Sequence, residues 1–283
     1  MGAEQGRRVG AGGLPCRQDS DLCRAGHRFE GAVSRFVYGS REPFIGIYNP
    51  HTDAGVVHYA NYTDLPATKI WSWGVDADGL AWRKTLSDND SGYVEVQAGL
   101  FRNQETYSFL EPQQAIHFSE FWMPVRGIGT ISRANLDGVV AMTRKPHEDG
   151  RVTLTVGLNA NHAVPGARIE ISDGEKNVVE ESTSLDPAVT WRREVANLEP
   201  DKKYTFLLRD GDGATLLKHS EGMYDWTPRD QVRTGPQIDN EAPPVTAVSD
   251  EDYLRQGADK ELGVSCWGHG RLISLDWRSF HPA

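Results

Sequence analysis

Long apolar runs are missing from this sequence. No stretch of about 18 apolar residues occurs in its 283 positions, so a membrane-spanning helix has nothing to be built from. The opening MGAEQGRRVGAGGLP also lacks the apolar stretch of an export signal, which places the expected location in the cytoplasm and off the membrane. Cysteine is scarce too. Cys16, Cys23 and Cys266 form no Cys-x-x-Cys pair, which argues against a disulfide framework and a structural zinc site. Basic charge is in deficit, with 30 Lys and Arg against 40 Asp and Glu for a net charge of −10, and the cations are scattered. A phosphate backbone is therefore repelled, which excludes nucleic acid as a partner and leaves neutral or cationic ligands.

Several motifs of catalysis are absent as well. The nine histidines show no i, i+4 pair of the zinc-protease type, and none accompanies a Ser nucleophile elbow. Asp88-Asn89-Asp90 begins like a calcium loop, but Tyr93 stands where that loop requires glycine and Gly99 where it requires a bidentate Glu. Asn61-Tyr62-Thr63 has only the form of a glycosylation acceptor. No metal and no cofactor is implied.

What is present is a series of β patterns. Phe44 to Tyr48, Gly55 to Ala60, Thr68 to Gly74, Tyr93 to Gly99, Ala115 to Met123 and Gly138 to Arg144 are short, β-branched or aromatic, and separated by turn residues. Clusters such as Asp76-Ala77-Asp78-Gly79 read as reversals. After Lys145 to Gly150, read as a polar linker, come RVTLTVGL, ARIEIS, VTWRREV, KYTFLLRD and ATLLKH, the pattern of a small immunoglobulin-like or fibronectin-like sandwich over about 150–240. Leu198, Pro200 and Tyr204 resemble the corner of such domains, where the Tyr hydroxyl bonds back to the backbone. Pro243-Pro244 closes this sandwich, and Ser249 to Leu262 reads as the start of a helix with Ser249 as N-cap. Residues 1–28 and 263–283 read as disordered or non-native ends.

Chemistry gathers between Thr68 and Trp122. Trp71 and Trp73 stand at i and i+2, hence on one face of a strand about 6.6 Å apart. A flat pair of indoles suits the C–H face of a pyranose, the alternative being that one or both belong to the core, as for Trp82, Trp122 and Trp191. In the next strand the alternation separates Val94, Val96 and Ala98 from Tyr93, Glu95 and Gln97, and the polar row offers hydrogen bonds to hydroxyls or a carboxylate base. Asn103, Gln104, Glu105 and Glu111 crowd a loop, where amides and carboxylates serve a polyhydroxyl ligand or merely shape the turn. His58, within the apolar Val56-Val57-His58-Tyr59-Ala60, is a candidate acid or a histidine satisfied in the core. His117 is expected on an outer face.

The runs GVVHYANYTDLPATKIWSWG and LSDNDSGYVEVQAGLFRNQETYSFLEPQQAIHFSEFWMPVRGIGTISRANLDGVV resemble the bacterial domain of unknown function 5107. The resemblance spans about Phe44 to Leu262 and implies an all-β, galactose-mutarotase-like supersandwich, then a small sandwich and tetratricopeptide repeats, of which Asp252 to Leu262 would open the first. It implies carbohydrate as the ligand, with His58 as acid and Glu95 or Glu105 as base, and Trp71, Trp73, Gln97, Asn103, Gln104 and Glu111 as substrate contacts. A glycosidase would need two carboxylates instead. Because such a domain needs more residues than precede 145, residues 29–145 are expected to be its C-terminal half, with an open sheet edge. The other function class is a non-catalytic scaffold whose repeats bind protein partners.

Overall fold

The computed structural model describes residues 32–88, 90–103, 106 and 108–232. The described chain is all-β and sandwich-like. Its strands are β1 Val33–Phe36, β2 Phe44–Asn49, β3 Ala54–Ala60, β4 Ala67–Ser72, β5 Val94–Gly99, β6 Glu120–Arg126, β7 Arg133–Ala134, β8 Gly138–Pro146, β9 Val152–Ala160, β10 Val164–Ser172, β11 Asn177–Leu185, β12 Trp191–Leu198, β13 Thr205–Arg209 and β14 Thr215–Ser220. One helix, α1 Ala77–Leu86, lies between β4 and β5. Four antiparallel sheets result, ordered β1-β4-β5, β2-β3-β6, β12-β9-β8-β7 and β11-β10-β13-β14. Among the described residues no helix is long and apolar enough to cross a membrane. The ends 1–28 and 263–283, Pro243-Pro244 and the helix expected from Ser249 lie outside the described residues.

Strand β8 explains the arrangement. Its run Gly-Val-Val-Ala-Met is buried on both faces, the pattern of a strand with no solvent side. Val140 and Met142 enter the core of the last two sheets with Leu154, Val156, Ile169, Ile171, Phe206 and Leu208. Val139 and Ala141 enter a second core with Tyr48, Val57, Met123, Val125 and Ile128, contributed largely by the β2-β3-β6 sheet. The residues Lys145 to Gly150 are not a linker between two β series. Lys145 and Pro146 end β8, and His147 to Gly150 turn into β9, with the His147 N–H donating to Arg151 O (2.9 Å) and the Gly150 N–H to His147 O (3.1 Å).

Polar contacts pin the two cores together. Asn159 Oδ1 accepts from the Arg126 N–H (2.9 Å), its Nδ2 donates to Thr190 Oγ1 (2.9 Å), and the Thr190 hydroxyl donates to Arg126 O (2.9 Å). The buried Tyr48 hydroxyl donates to Asp53 Oδ1 (2.6 Å) and accepts from the Ile128 N–H (3.1 Å). Gly157 allows this approach, since a Cβ there would meet the Ile128 backbone at 2.8 Å. Tyr204 is buried. Its backbone N–H donates to Glu221 Oε2 (2.8 Å), and the Arg144 guanidinium lies 5.5 Å from its ring centre.

Three elements differ from expectation. The cluster Asp76 to Gly79 starts a helix instead of reversing a strand, because the Asp76 carboxylate accepts from the Gly79 N–H (2.8 Å) and caps α1. The strand expected over Ala115 to Met123 begins only at Glu120. Strand β11, Asn-Val-Val-Glu-Glu-Ser-Thr-Ser-Leu, is mostly polar and gives no alternation to find. Because β8 serves two cores, Val139→Ala and Val140→Ala should each lower unfolding stability by about 1–3 kcal/mol in urea titrations, although their side chains point in opposite directions.

Candidate functional site

The β1-β4-β5 sheet carries most of the expected contacts. Register places Trp71 opposite Glu95 and Lys69 opposite Gln97, so the indole, the carboxylate and the amide share one face, as the alternation requires. The Glu95 carboxylate is held on both oxygens. Trp73 Nε1 donates to Oε1 (3.3 Å), and Gln97 Nε2 donates to Oε2. The Lys69 side chain is buried, its ammonium 5.3 Å from the Phe36 ring centre and 5.5 Å from that of Trp71. This cation is attracted by the electron-rich faces of the two rings beside it.

The two indoles do not form a flat platform. Their centres are 5.3 Å apart, but the planes meet at 87°. Trp73 is only 9 % exposed and stacks on Trp82 of α1 at 4.6 Å and 26°. The reason is α1, which packs tightly against the end of β4: a Cβ on Gly79 would meet Trp73 O and Gly74 O at 2.6 Å. Trp71 is half-buried, whereas Trp73 donates to Glu95.

His58 lies on the other three-stranded sheet. It is 1 % exposed, and its carboxylate partner is Glu120, with Nε2 2.9 Å from Oε2. Nδ1 is buried without a hydrogen-bond partner. The half-exposed Trp122, directly opposite on β6, lies with its ring centre 4.8 Å from that of His58. Glu120 is the residue that sequence reasoning missed. Glu120 and Trp122 share a face of β6, as His58 and Ala60 do on β3, but only the register joins the two pairs.

The remaining candidates divide. Asn103 is buried, and its Oδ1 accepts from the Thr106 N–H (2.9 Å) and hydroxyl (2.6 Å), the turn-shaping role. Glu111 is exposed on the same 101–117 segment, its N–H donating to Gln114 Oε1 (2.9 Å), and His117 is exposed as expected. Gln104 and Glu105 lie outside the described residues. Trp191 is a core residue of the second sandwich, with Nε1 donating to Glu181 Oε1 (3.3 Å). Among the described residues no group of three or more His, Cys, Asp or Glu is placed to hold a metal ion.

Comparison with known families agrees with the two series of sheets. Residues 25–125 match the model of a domain of unknown function, number 5107. The first β region belongs to that family. Residues 133–219 match the second domain of YphG-like proteins, and no solved structure matches the chain. The 5107 domain thus carries both Glu95 with Trp71 and His58 with Glu120, and β8 falls within the YphG-like domain. If Gly79 sets the position of the 5107 domain's helix, Gly79→Ala should displace α1, unstack Trp82 from Trp73 and shift tryptophan emission to longer wavelength. Ala81→Gly, in the same helix, should leave the emission in place while lowering stability by about 1 kcal/mol.

Proposed function

We propose that the 5107 domain binds carbohydrate on the Trp71 face of the β1-β4-β5 sheet. The observation that carries the reading is Glu95, a carboxylate fixed by the Trp73 indole and the Gln97 amide beside a half-buried Trp71 ring. An oriented acceptor next to an aromatic face is what a pyranose needs, since it offers hydroxyl donors around its rim and C–H groups above and below. Each Glu95 oxygen takes one bond from the protein and keeps capacity for a ligand hydroxyl. Lys69 is too deeply buried to meet a ligand and acts on it only through the Trp71 ring.

For chemistry on a sugar at the β2-β3-β6 sheet, apart from the Trp71 face, the mutarotase resemblance calls for an imidazole acid and a carboxylate base. His58 keeps its place in that reading, and the base becomes Glu120, the carboxylate within hydrogen-bond distance of it, in place of Glu95 or Glu105. Glu95 then serves binding. The scaffold reading, with protein partners on C-terminal repeats, rests on residues outside those described and gains no support from the sheets.

Titrating mono- and oligosaccharides against intrinsic tryptophan fluorescence should give a saturable change that Trp71→Ala abolishes. Glu95→Ala should weaken the apparent Kd by about tenfold or more, the usual worth of a hydrogen bond to a charged group. A full panel of neutral sugars with no effect on emission defeats the proposal. In a separate assay of anomer interconversion, Glu120→Gln should remove any activity while leaving the fluorescence titration unchanged; loss with Glu95→Gln instead would return the base role to Glu95.

A further inference from the structure

The chain that leaves β14 folds back over the junction of the two cores. Its turn begins with the Met223 N–H donating to Ser220 O (3.0 Å). Beyond it the segment is bonded to residues 39–42, far away in sequence. The Thr227 N–H donates to Gly39 O (2.7 Å), the Arg41 N–H to Asp225 O (2.9 Å), and the Asp225 N–H to Glu42 Oε1 (2.7 Å). Arg133 of β7 ties both sides. Its Nη2 donates to Met223 O (2.9 Å), its Nη1 pairs with the buried Glu42 carboxylate, and its guanidinium lies 5.8 Å from the Phe44 ring centre and 5.6 Å from that of Tyr224.

Beside Tyr224 lies His219 of β14, 5.5 Å between ring centres and 3 % exposed. Its Nδ1 is buried with no partner, and so is Nε of Arg133. Two buried nitrogens without hydrogen bonds at one junction each carry a desolvation cost that no partner offsets.

We propose that the strap Ser220 to Thr227 is an acid-operated clasp, in which protonation of His219 frees Tyr224 and releases the strap from Arg133 and from Gly39 to Glu42. The proposal is independent of the saccharide reading. A charge on the covered imidazole meets no acceptor at Nδ1 and stands near the Arg133 cation. The groups facing His219 are Tyr224 and Glu221 from the strap, Arg133 from β7 and Phe206 opposite on β13. The Glu221 carboxylate favours the charged imidazole, but it is already engaged by Arg144 Nε (2.7 Å) and the Tyr204 N–H (2.8 Å).

Burial first, and then the Arg133 charge, hold the imidazole down at about 4. The pKa in the closed state is thus below the ordinary value of about 6.5. The clasp is therefore fully closed above about pH 6.5 and loses stability as the pH falls toward 4, because the opened state binds the proton more tightly. The opening equilibrium should rise on the order of a hundredfold over that interval.

Amide hydrogen exchange on the full chain, corrected for the intrinsic pH dependence of exchange, tests this. Peptides covering 39–42 and 220–227 should lose protection by roughly that factor between pH 6.5 and 4, while β9 and β10 retain theirs. His219→Phe should flatten the response, and His219→Gln provides a polar replacement should the Phe variant fail to fold. The histidine's share of the response is the part that these variants remove. Tyr224→Ala should leave the strap unprotected already at pH 7. A strap whose corrected protection is level across the interval, or falls equally in both His219 variants, overturns the clasp; so does full protection in Tyr224→Ala.

Discussion

A stretch of strand with no solvent face, Gly138 to Met142 of β8, organises this molecule. That stretch places Val140 and Met142 in one apolar core and Val139 and Ala141 in another, so within it neither side can bear a polar side chain without opening a core. Backbone pairing along β9 runs its full length from Gly138 to Pro146 and satisfies the peptide groups that this double burial removes from water. The β2-β3-β6 sheet of the 5107 domain is thereby packed directly on the YphG-like sandwich, with no free linker between them. Asn159 and Thr190 reinforce this contact at Arg126, and Arg133 with Glu42 does so at the strap. The family boundary and the packing boundary consequently differ. The two matches meet between 125 and 133, whereas the second core draws on both sides of that gap.

That difference explains what could be read from sequence. The all-β class, most strands and the second sandwich were legible, because β-branched and aromatic runs of five to nine residues bounded by turns have few other solutions. The role of Lys145 to Gly150 was not. A polar Pro-Gly stretch looks the same whether it tethers domains or turns a hairpin, and only pairing partners distant in sequence distinguish the two. Helix α1 was hidden for a related reason: Asp76, Asp78 and Gly79 are turn formers locally, yet here they cap and seat a helix against Trp73 and Gly74.

The candidate site shows the same division. The period of two placed Trp71 with Trp73, and Glu95 with Gln97, and the register of β4 on β5 brought those pairs to one face. Periodicity cannot set the angle between rings. Trp73 turned edge-on because Trp82 stacks on it from a helix that the sequence did not announce. The separation of His58 from Glu95 was likewise beyond reach, since nothing in either strand says that they enter different sheets.

The division of labour proposed for the two carboxylates follows from burial. A carboxylate that accepts from a tryptophan N–H and an amide on a half-exposed face is oriented and strongly acceptor in character, which suits it to holding a hydroxyl. A carboxylate beside a buried imidazole shares a hydrogen bond across which a proton can pass, and Glu120 remains about one-third exposed while His58 is sealed. On the proposed reading the exposed member of that pair is the one a sugar would reach, while Trp122, its ring centre 4.8 Å from that of His58, stands beside the imidazole. Under that proposal, removing the Trp122 ring would open a direct route to His58 and change which of the two residues a sugar meets first.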